Sequence, residues 1–395
     1  MKKLLSFLHV DHVGFLELML AFYPIVAGYQ YGSIPMSLVW ALLMDMIAFT
    51  RIRKPMRNVI LVIVFSFVIL HDVVVWMSNG MSITHLNFII SIIVFSTSII
   101  IIAPALNFEK LVGSLYLIAF LVCGGIIYHF ILLLSGRIIT PIPLPFLPAP
   151  DISSRLFMEA HRPCSFFWEP AAFVTYMLIP LFISLVKKDW PLMLFFLFCI
   201  FLSTSTNGII LAPLMIAVYI LFSRQNLSGK SLYAIILFAM CIWLFNSSLF
   251  DAGVDKLERT DASSNVRLSN GPWLVSQMPS EHIVLGIPYH SVNEYLSRGG
   301  VVDGSRIDPG RNFYLSDFWR VLIIYGIFGL ILHLSVYFYF IQKDKTLLPY
   351  ITILLVAQFS QSVAFQSTYV FQLCFILAYI RNNSNSSVRT MAISN

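Results

Sequence analysis

Charged residues are scarce in this sequence of 395 residues, since Asp, Glu, Lys and Arg account for only 11% of it, against about 25% in a typical soluble domain. Hydrophobic residues account for 58%, and the mean hydropathy is +0.83. A water-soluble fold of this length could not bury so much apolar surface. The composition therefore excludes a soluble enzyme or binding domain and predicts an integral membrane protein.

Cysteine is also rare, with five residues in the chain. Cys123, Cys199, Cys241 and Cys374 lie within apolar segments, and only Cys164 lies in a segment that reads as a loop. This distribution argues against a disulfide framework and against a zinc site. We therefore expect a protein that uses no metal and no cofactor.

The hydrophobic residues form long stretches, several of which reach the length that a helix needs to cross a bilayer. Window counting predicts an all-α polytopic membrane protein with about twelve transmembrane helices, and we expect residues 1–395 to form a single membrane domain. The N-terminal segment begins like a signal peptide, but Asp11 and Glu17 interrupt it, so we interpret it as an uncleaved first helix. The predicted spans are 13–30, 33–50, 58–77, 83–106, 111–134, 168–186, 190–205, 207–222, 231–250, 316–340, 347–362 and 366–380.

Basic residues occur in short groups between alternate spans. If the N-terminus is cytoplasmic, every loop on the same side carries Lys or Arg, as the positive-inside rule requires, and the C-terminus is cytoplasmic too. Because these residues are scattered rather than gathered in one patch, the net charge of +6 does not indicate a nucleic-acid partner. This topology leaves two long segments outside, a first extracytoplasmic loop at 135–167 and a large one at 251–315. We expect the larger loop, which is rich in charged residues, to pack across the helix ends as short helices.

Two shorter patterns indicate local structure at the outer surface. The proline-rich stretch 141–150 cannot continue a helix, because proline lacks an N–H and clashes with the preceding turn; it predicts an extended segment. The polar run Ser203–Gly208 separates two short apolar stretches. Polar backbone at membrane depth is tolerated only where protein or a watery cavity covers it, so this run predicts a covered turn.

The segment Arg162–Pro170 combines an arginine and a glutamate at the outer mouth of a predicted helix. An arginine suits a phosphate group because its planar guanidinium donates paired hydrogen bonds and stays charged. A purely structural interpretation is also open. In that case Trp168 is an interfacial aromatic, Pro170 a first-turn proline and Glu169 a favourable charge at the helix N-terminus.

The pattern Arg-x-x-Ser-x-Phe-x-Glu-Pro, at Arg162 to Pro170, resembles the signature of bacterial O-antigen and capsular polysaccharide polymerases of the O-antigen polymerase and ligase superfamily. The run Ser203–Gly208 resembles that superfamily's S-x-S-x-x-G turn, although Asn207 stands where an arginine is frequent. Residues 311–315, Arg-Asn-Phe-Tyr-Leu, with Gly326 and Gly329 in the following helix, resemble its H-N-x-Y-L and G-x-x-G ending.

The resemblance implies a glycosyltransferase with a C-type membrane fold in the bacterial cytoplasmic, or inner, membrane. Its donor and acceptor would be undecaprenyl-diphosphate-linked oligosaccharide repeat units of lipopolysaccharide O-antigen or capsule, and a chain-length regulator is a further partner to consider. Arg311 stands where ligase relatives carry a histidine proposed as catalytic, which favours a polymerase and leaves the base unidentified. An O-antigen ligase with the same donor is the nearest alternative, and a flippase or transporter of the same units is an alternative from another class.

The candidate site residues follow from the resemblance and from the chemistry of a departing diphosphate, which fixed cations can stabilise without a metal. The candidates for a clamp on the diphosphate are Arg162, Arg267 and Arg311. The candidates for a base that activates the acceptor hydroxyl are Glu169, which the motif favours, His290 and Glu294. Ser165 and Asn312, which belong to the matched motifs, are further candidates for substrate binding.

Ionisable residues also occur within the predicted spans, where burial costs several kcal/mol unless they are paired or hydrated. His71, Asp72, His85 and His129 fall in the outer halves of their helices. Either they line the same external cavity, or they are interfacial residues that reach water, an alternative that we favour slightly. A separate group on the inner side is expected to be structural: Glu17, Asp45 and His333.

Overall fold

The computed structural model describes residues 12–32, 34–52, 58–145, 147, 162–223, 266–289, 291–298 and 315–394, together with isolated residues between 231 and 242. The regular secondary structure of these residues is helical apart from a small antiparallel pair of strands, β1 (Gln30–Tyr31) and β2 (Ile34–Pro35). The described helices up to residue 223 are α1 (Phe15–Val26), α2 (Met36–Phe49), α3 (Val59–Ser78), α4 (Ile83–Ala105), α5 (Phe108–Leu134), α6 (Pro170–Lys187), α7 (Trp190–Leu202) and α8 (Thr206–Phe222).

Among the described residues of the second half are three short helices and three that follow predicted spans. The short helices are α9 (Val266–Gln277), α10 (Ser280–Leu285) and α11 (Val292–Arg298). The others are α12 (Asp317–Lys343), α13 (Leu348–Ala357), which follows a 3-10 turn at Lys345–Leu347, and α14 (Ser367–Ser394). The predicted span 231–250 lies largely outside the described residues.

Five of the described helices, α3, α4, α5, α6 and α12, are long and apolar enough to cross a membrane. This confirms an all-α architecture of membrane-spanning type. Helices α1, α2, α7, α8 and α13 are shorter. The predicted span 207–222 matches α8, but the window method overestimates the other four. It continues through apolar residues after the backbone has left the helix, as at Tyr29, where the chain turns into β1.

Helix α6 lies at the centre of the bundle, since its side chains are buried from Phe173 to Leu185. Aromatic rings from distant parts of the chain pack around it. The Tyr176 ring stacks on that of Phe371 at a centroid distance of 5.5 Å, and the Phe182 ring lies 5.4 Å from that of Tyr350. The helix begins with Pro170 in its first turn, as predicted, because proline at that position costs no hydrogen bond.

Basic residues of the short loops lie at one end of the bundle. Arg51 pairs with the buried Glu17 at 3.3 Å, and the other carboxylate oxygen of Glu17 accepts the Asn107 N–H at 2.8 Å. Arg381 donates to the carbonyls of Pro104 and Leu106. Glu17 therefore has the structural role predicted for it.

Two other residues expected to be structural are also buried. Asp45 on α2 accepts a hydrogen bond of 2.7 Å from the Ser98 hydroxyl on α4. The His333 ring on α12 packs against the Tyr369 ring on α14 at a centroid distance of 5.8 Å, and His333 is fully buried in the core. Both side chains thus connect helices inside the bundle.

The opposite end carries the longer connections. Asn79 donates to the Pro288 carbonyl, and the Ile287 N–H donates to the Ile323 carbonyl at 3.0 Å, so the region around α10 packs on α3 and α12. The described part of the predicted 251–315 loop thus folds into short helices that pack on the bundle. Residues 137–144 have no regular secondary structure, in agreement with the proline-rich pattern.

Candidate functional site

The segment that leads into α6 is held by a buried histidine on α5. The N–H groups of Cys164 and Ser165 both donate to His129 Nδ1, at 3.3 and 3.1 Å. Ser165 has a positive φ of 58°, and its carbonyl accepts the Ile142 N–H at 2.9 Å. A side chain at Gly125 would overlap the Ser165 hydroxyl. His129 therefore orients the motif, and Gly125 provides the space that the motif occupies.

Arg162 connects this segment to the turn between α7 and α8. Its guanidinium donates to the Thr204 carbonyl at 3.2 Å. Thr204 has a positive φ of 52°, and Ser203 and Ser205 on either side are buried, so the polar run is covered by protein as predicted. Two segments that the sequence separates by more than a whole helix therefore meet at one point.

Glu169 stands immediately before α6, half-buried, and its carboxylate makes no capping hydrogen bond to the helix. It lines a cavity of about 200 Å³ between the start of α6 and residues 360–368. Thr175, in the second turn of α6, lines the same cavity, and its hydroxyl donates to Gln361 Oε1 at 2.9 Å. The cavity thus presents a carboxylate, a hydroxyl and an amide to a ligand.

The segment 358–366 forms the far wall of this cavity, and the N-terminus of α12 holds it in place. One oxygen of the buried Asp317 carboxylate accepts the Val363 N–H at 2.7 Å, and the other accepts the Ala364 N–H at 2.9 Å. Arg320 pairs with Asp317 at 3.0 Å and donates to the Ala364 carbonyl. With the Gln366 amide turned so that its oxygen faces Arg320, these two groups also lie 3.0 Å apart.

Arg320 is a cation that the sequence interpretation missed. It lies inside the predicted span 316–340, where an arginine reads as part of a helix rather than as part of a site. The available signal is its spacing of three residues from Asp317, which places both side chains on one face of the helix. The structure brings Arg320 near the first cavity through Gln366, which lines it.

The remaining predicted site residues are only partly covered by the structure. Arg311, Asn312 and His290 lie outside the described residues, and of Arg267 only the place of its backbone in α9 is described. Glu294 lies half-buried on α11, next to Tyr295, whose hydroxyl is 3.0 Å from His282 Nδ1. Burial raises the pKa of Tyr295 above its usual value. Arg162, Ser165 and Glu169 are thus the predicted residues whose surroundings the structure describes in the segment that leads into α6.

Three of the four ionisable residues that the sequence places in outer helix halves do not reach water. Asp72, His85 and His129 are buried, so the interfacial interpretation is wrong for them, because neighbouring helices and loops cover those positions. The Tyr325 hydroxyl donates to Asp72 at 2.9 Å, and the His85 and His71 rings approach the other oxygen of Asp72 at 3.7 and 3.9 Å. His71 lines a second cavity, of about 530 Å³.

The described residues contain no group of three His, Cys, Asp or Glu side chains placed to hold a metal ion. Comparisons of the chain with protein-family models, with curated proteins and with solved structures find no match.

Proposed function

We propose that this protein is a polysaccharide repeat-unit polymerase, a glycosyltransferase that joins undecaprenyl-diphosphate-linked oligosaccharide units on the outer side of the bacterial inner membrane. The observation that carries the proposal is the hydrogen bond from Arg162 to the Thr204 carbonyl. It joins two of the three segments that resemble the polymerase family, and Glu169 follows Arg162 in the first of them. Segments that are distant in sequence but assemble at one point favour a common role over chance likeness.

The chemistry of the transfer suits these residues. The acceptor hydroxyl oxygen bonds to the anomeric carbon of the donor, and the bond from that carbon to the diphosphate breaks, which leaves negative charge on the departing group. The hydrogen bond to Thr204 fixes the position of the Arg162 charge, and a fixed cation stabilises that developing charge. Glu169 lines the adjacent cavity, where a carboxylate can take the proton from the attacking hydroxyl.

The proposal includes the topology and the finer fold. The chain would have about twelve spans, the C-type glycosyltransferase architecture, and both termini in the cytoplasm. The end that carries Arg51 and Lys187 would face the cytoplasm, since basic loops are retained there. The end that carries Arg162, the turn at 203–208 and helices α9 to α11 would then face outward, where the lipid-linked units are presented.

The first prediction concerns the two residues of the motif. Arg162→Ala and Glu169→Ala, expressed in a strain from which the gene has been deleted, should each lower chain extension by about 100-fold or more. Polysaccharide separated by gel electrophoresis would then show single repeat units in place of a ladder. Protein amount in the membrane fraction is measured in parallel.

Two matched substitutions serve as controls. Arg137→Ala removes an exposed arginine from the same predicted loop, and Glu109→Gln changes a first-turn glutamate on α5; both should leave the ladder intact. Normal chain length in both motif variants would refute the site. Deletion of the gene also separates the alternatives. Loss of a polymerase leaves single repeat units on the final acceptor, loss of a ligase leaves none there, and loss of a flippase leaves the units on the inner side of the membrane.

A further inference from the structure

The first cavity, which Glu169 lines, contains a buried amide that the proposed transfer does not use. Gln361 is 7% exposed and lines this cavity. Its Oε1 accepts a hydrogen bond from the Thr175 hydroxyl, but its Nε2 has no hydrogen-bond partner among the described residues. Buried polar groups are nearly always hydrogen-bonded, and an unpaired buried donor is costly. An unpaired N–H₂ group in a cavity wall therefore indicates an acceptor on a bound ligand.

A second amide of the same wall, that of Gln366, differs from Gln361 because the protein uses both of its polar atoms. In the orientation in which its oxygen faces Arg320, that oxygen accepts from the guanidinium at 3.0 Å, and the nitrogen donates to the Ser362 carbonyl at 3.0 Å. Gln366 therefore holds the wall together. The Gln361 backbone is fixed as well, since its carbonyl accepts the Asp317 N–H, but its amide nitrogen remains available to a ligand.

The remaining polar side chains of the cavity are hydroxyls and one carboxylate. The hydroxyls belong to Thr175, Ser360, Ser362 and Thr368, and the carboxylate is that of Glu169. Apolar residues, Phe167 among them, line the cavity between these groups. Hydroxyls and amides both donate and accept hydrogen bonds, and a few such groups set among apolar ones suit a ligand that carries several hydroxyls on a carbon frame. A sugar ring has this chemistry.

The charge of the cavity favours an uncharged sugar. No lysine or arginine occurs among the described residues that line it, and Arg320, which contacts the wall from outside the cavity, already pairs with Asp317 at 3.0 Å. A uronic acid in this place would set its own carboxylate beside that of Glu169 without a cation to balance it. An unpaired charge out of water is unfavourable, and so is a like charge beside it.

The size of the cavity fits one sugar ring. Its volume of about 200 Å³ is below the roughly 300–1,000 Å³ of pockets that hold a drug-sized ligand. A single ring therefore fits inside, and the sugars linked to it extend outside. Because Glu169 is the proposed base, the ring beside it is the one whose hydroxyl attacks, and that ring belongs to the acceptor.

We infer that the first cavity binds the acceptor sugar that carries the attacking hydroxyl, that this sugar is uncharged, and that Gln361 determines which sugar is accepted. The Gln361 N–H₂ group donates a hydrogen bond to another hydroxyl of the same ring. This inference rests on the proposed function, since an acceptor requires a transfer. A site built to hydrogen-bond a hydroxyl rejects an analogue without it, because the buried polar group then stays unpaired. Gln361 thus selects among neutral sugars, whereas Glu169 excludes acidic ones.

Saturation-transfer NMR of the purified, full-length protein in detergent tests the inference, because it detects weak binding of small sugars without turnover. The neutral probes are the methyl glycosides of every neutral sugar in the surface polysaccharides of the source strain. The acidic probes are methyl glucuronide and methyl galacturonide. At least one neutral glycoside should bind saturably to the wild-type protein, and both uronides should bind about tenfold more weakly or not at all.

Three variants locate the binding. Gln361→Leu should weaken the neutral glycoside by about tenfold or more, because the hydrogen bond from the amide is lost. Ala172→Trp fills the cavity from an exposed lining position on α6 and should abolish binding without disturbing the core. Glu169→Gln removes the negative charge and should allow the uronides to bind, a gain that misfolding does not produce. Gln342→Leu, which changes an exposed glutamine near the end of α12, is the matched control and should bind as the wild type does.

Three outcomes would overturn the inference. These are no saturable binding of any neutral glycoside, equal affinity of the wild-type protein for neutral and acidic glycosides, or wild-type affinity in both Gln361→Leu and Ala172→Trp. Failure of the proposed function is seen separately. In that case Arg162→Ala and Glu169→Ala leave the polysaccharide ladder unchanged in cells, even where the cavity binds a neutral sugar. If these variants lose the ladder and no neutral glycoside binds, the proposed function stands and the inference fails.

Discussion

Two glycines allow α10 to lie directly against the backbone of α12. Gly326 has φ 68° and ψ −175° within α12, a region that is accessible essentially to glycine alone. A side chain at Gly326 would overlap the Val284 carbonyl, and one at Gly286 would overlap the Ile324 carbonyl. Gly326, the first glycine of the G-x-x-G pattern, therefore has a physical reason, because it allows the kink in α12 against which α10 packs.

Gly326→Ala should destabilise the protein by about 1–3 kcal/mol through backbone strain, with an added penalty from the overlap with Val284. The measurement is thermal unfolding of the detergent-solubilised protein by intrinsic fluorescence. Gly124→Ala is the matched control, because a side chain there on α5 meets no atom within 4 Å and alanine favours a helix over glycine. An unchanged melting temperature for Gly326→Ala would contradict the kink.

At the scale of elements, the N-terminus of α12 determines the position of segment 358–366. The N–H groups of Asp317 and Phe318 donate to the Gln361 and Gln358 carbonyls at 2.7 and 3.1 Å, while the Asp317 side chain accepts two N–H groups in return. The connection is reciprocal, so segment 358–366, which lines the first cavity, is fixed to α12. A substitution at this contact between α12 and segment 358–366 should therefore affect both cavities, since residues of α12 also line the second one.

Asp317→Asn tests whether the Asp317 carboxylate holds segment 358–366 against α12. Asparagine replaces one acceptor oxygen with an N–H₂ group that faces donors, which leaves a buried polar pair unmatched at a cost of about 1–3 kcal/mol. We expect a lower melting temperature and faster proteolytic cleavage within 358–366, followed by mass spectrometry. Asp189→Asn is the control, since Asp189 caps α7 by accepting the Leu192 N–H and asparagine caps equally well. Equal stability of the two variants would show that the Asp317 carboxylate does not hold segment 358–366 in place.

At the scale of the whole molecule, the two ends of the bundle differ in chemistry. One end carries the ion pair of Arg51 with Glu17 and the contacts of Arg381. The other carries the motif segment, the turn at 203–208 and the outer helices. Because the proposed transfer uses the second end, the function requires that end to lie outside the cytoplasm.

Cysteine labelling in intact cells checks this orientation. Ser276→Cys on α9 and Gln342→Cys near the end of α12 both change exposed positions, and the described native cysteines are buried. A membrane-impermeant maleimide should label the Ser276 variant in intact cells, and the Gln342 variant only after permeabilisation. Wild-type protein gives the background. The reverse pattern would place the site in the cytoplasm and exclude the proposed reaction.

The sequence by itself determined that this is an all-α protein of membrane-spanning type. It also located residues at which helices begin or are interrupted. Apolar length, Pro170 and the polar run at 203–208 act locally, so their consequences for helices α6, α7 and α8 follow without knowledge of the fold. For α13 the sequence overestimated the helix, because hydropathy reports which residues are apolar and not where the backbone hydrogen bonds end.

The tertiary structure alone decided which side chains meet. Asp72 and Tyr325 are 253 residues apart, and Arg162 meets the carbonyl of Thr204 only because α6 and α7 return the chain to the same end of the bundle. Such contacts depend on how helices pack, and packing is a property of many distant residues together. For that reason the sequence did not reveal the contacts of Asp72 with Tyr325 and His71. Nor did it reveal the contacts of Asp317 with segment 358–366 or the position of Arg320.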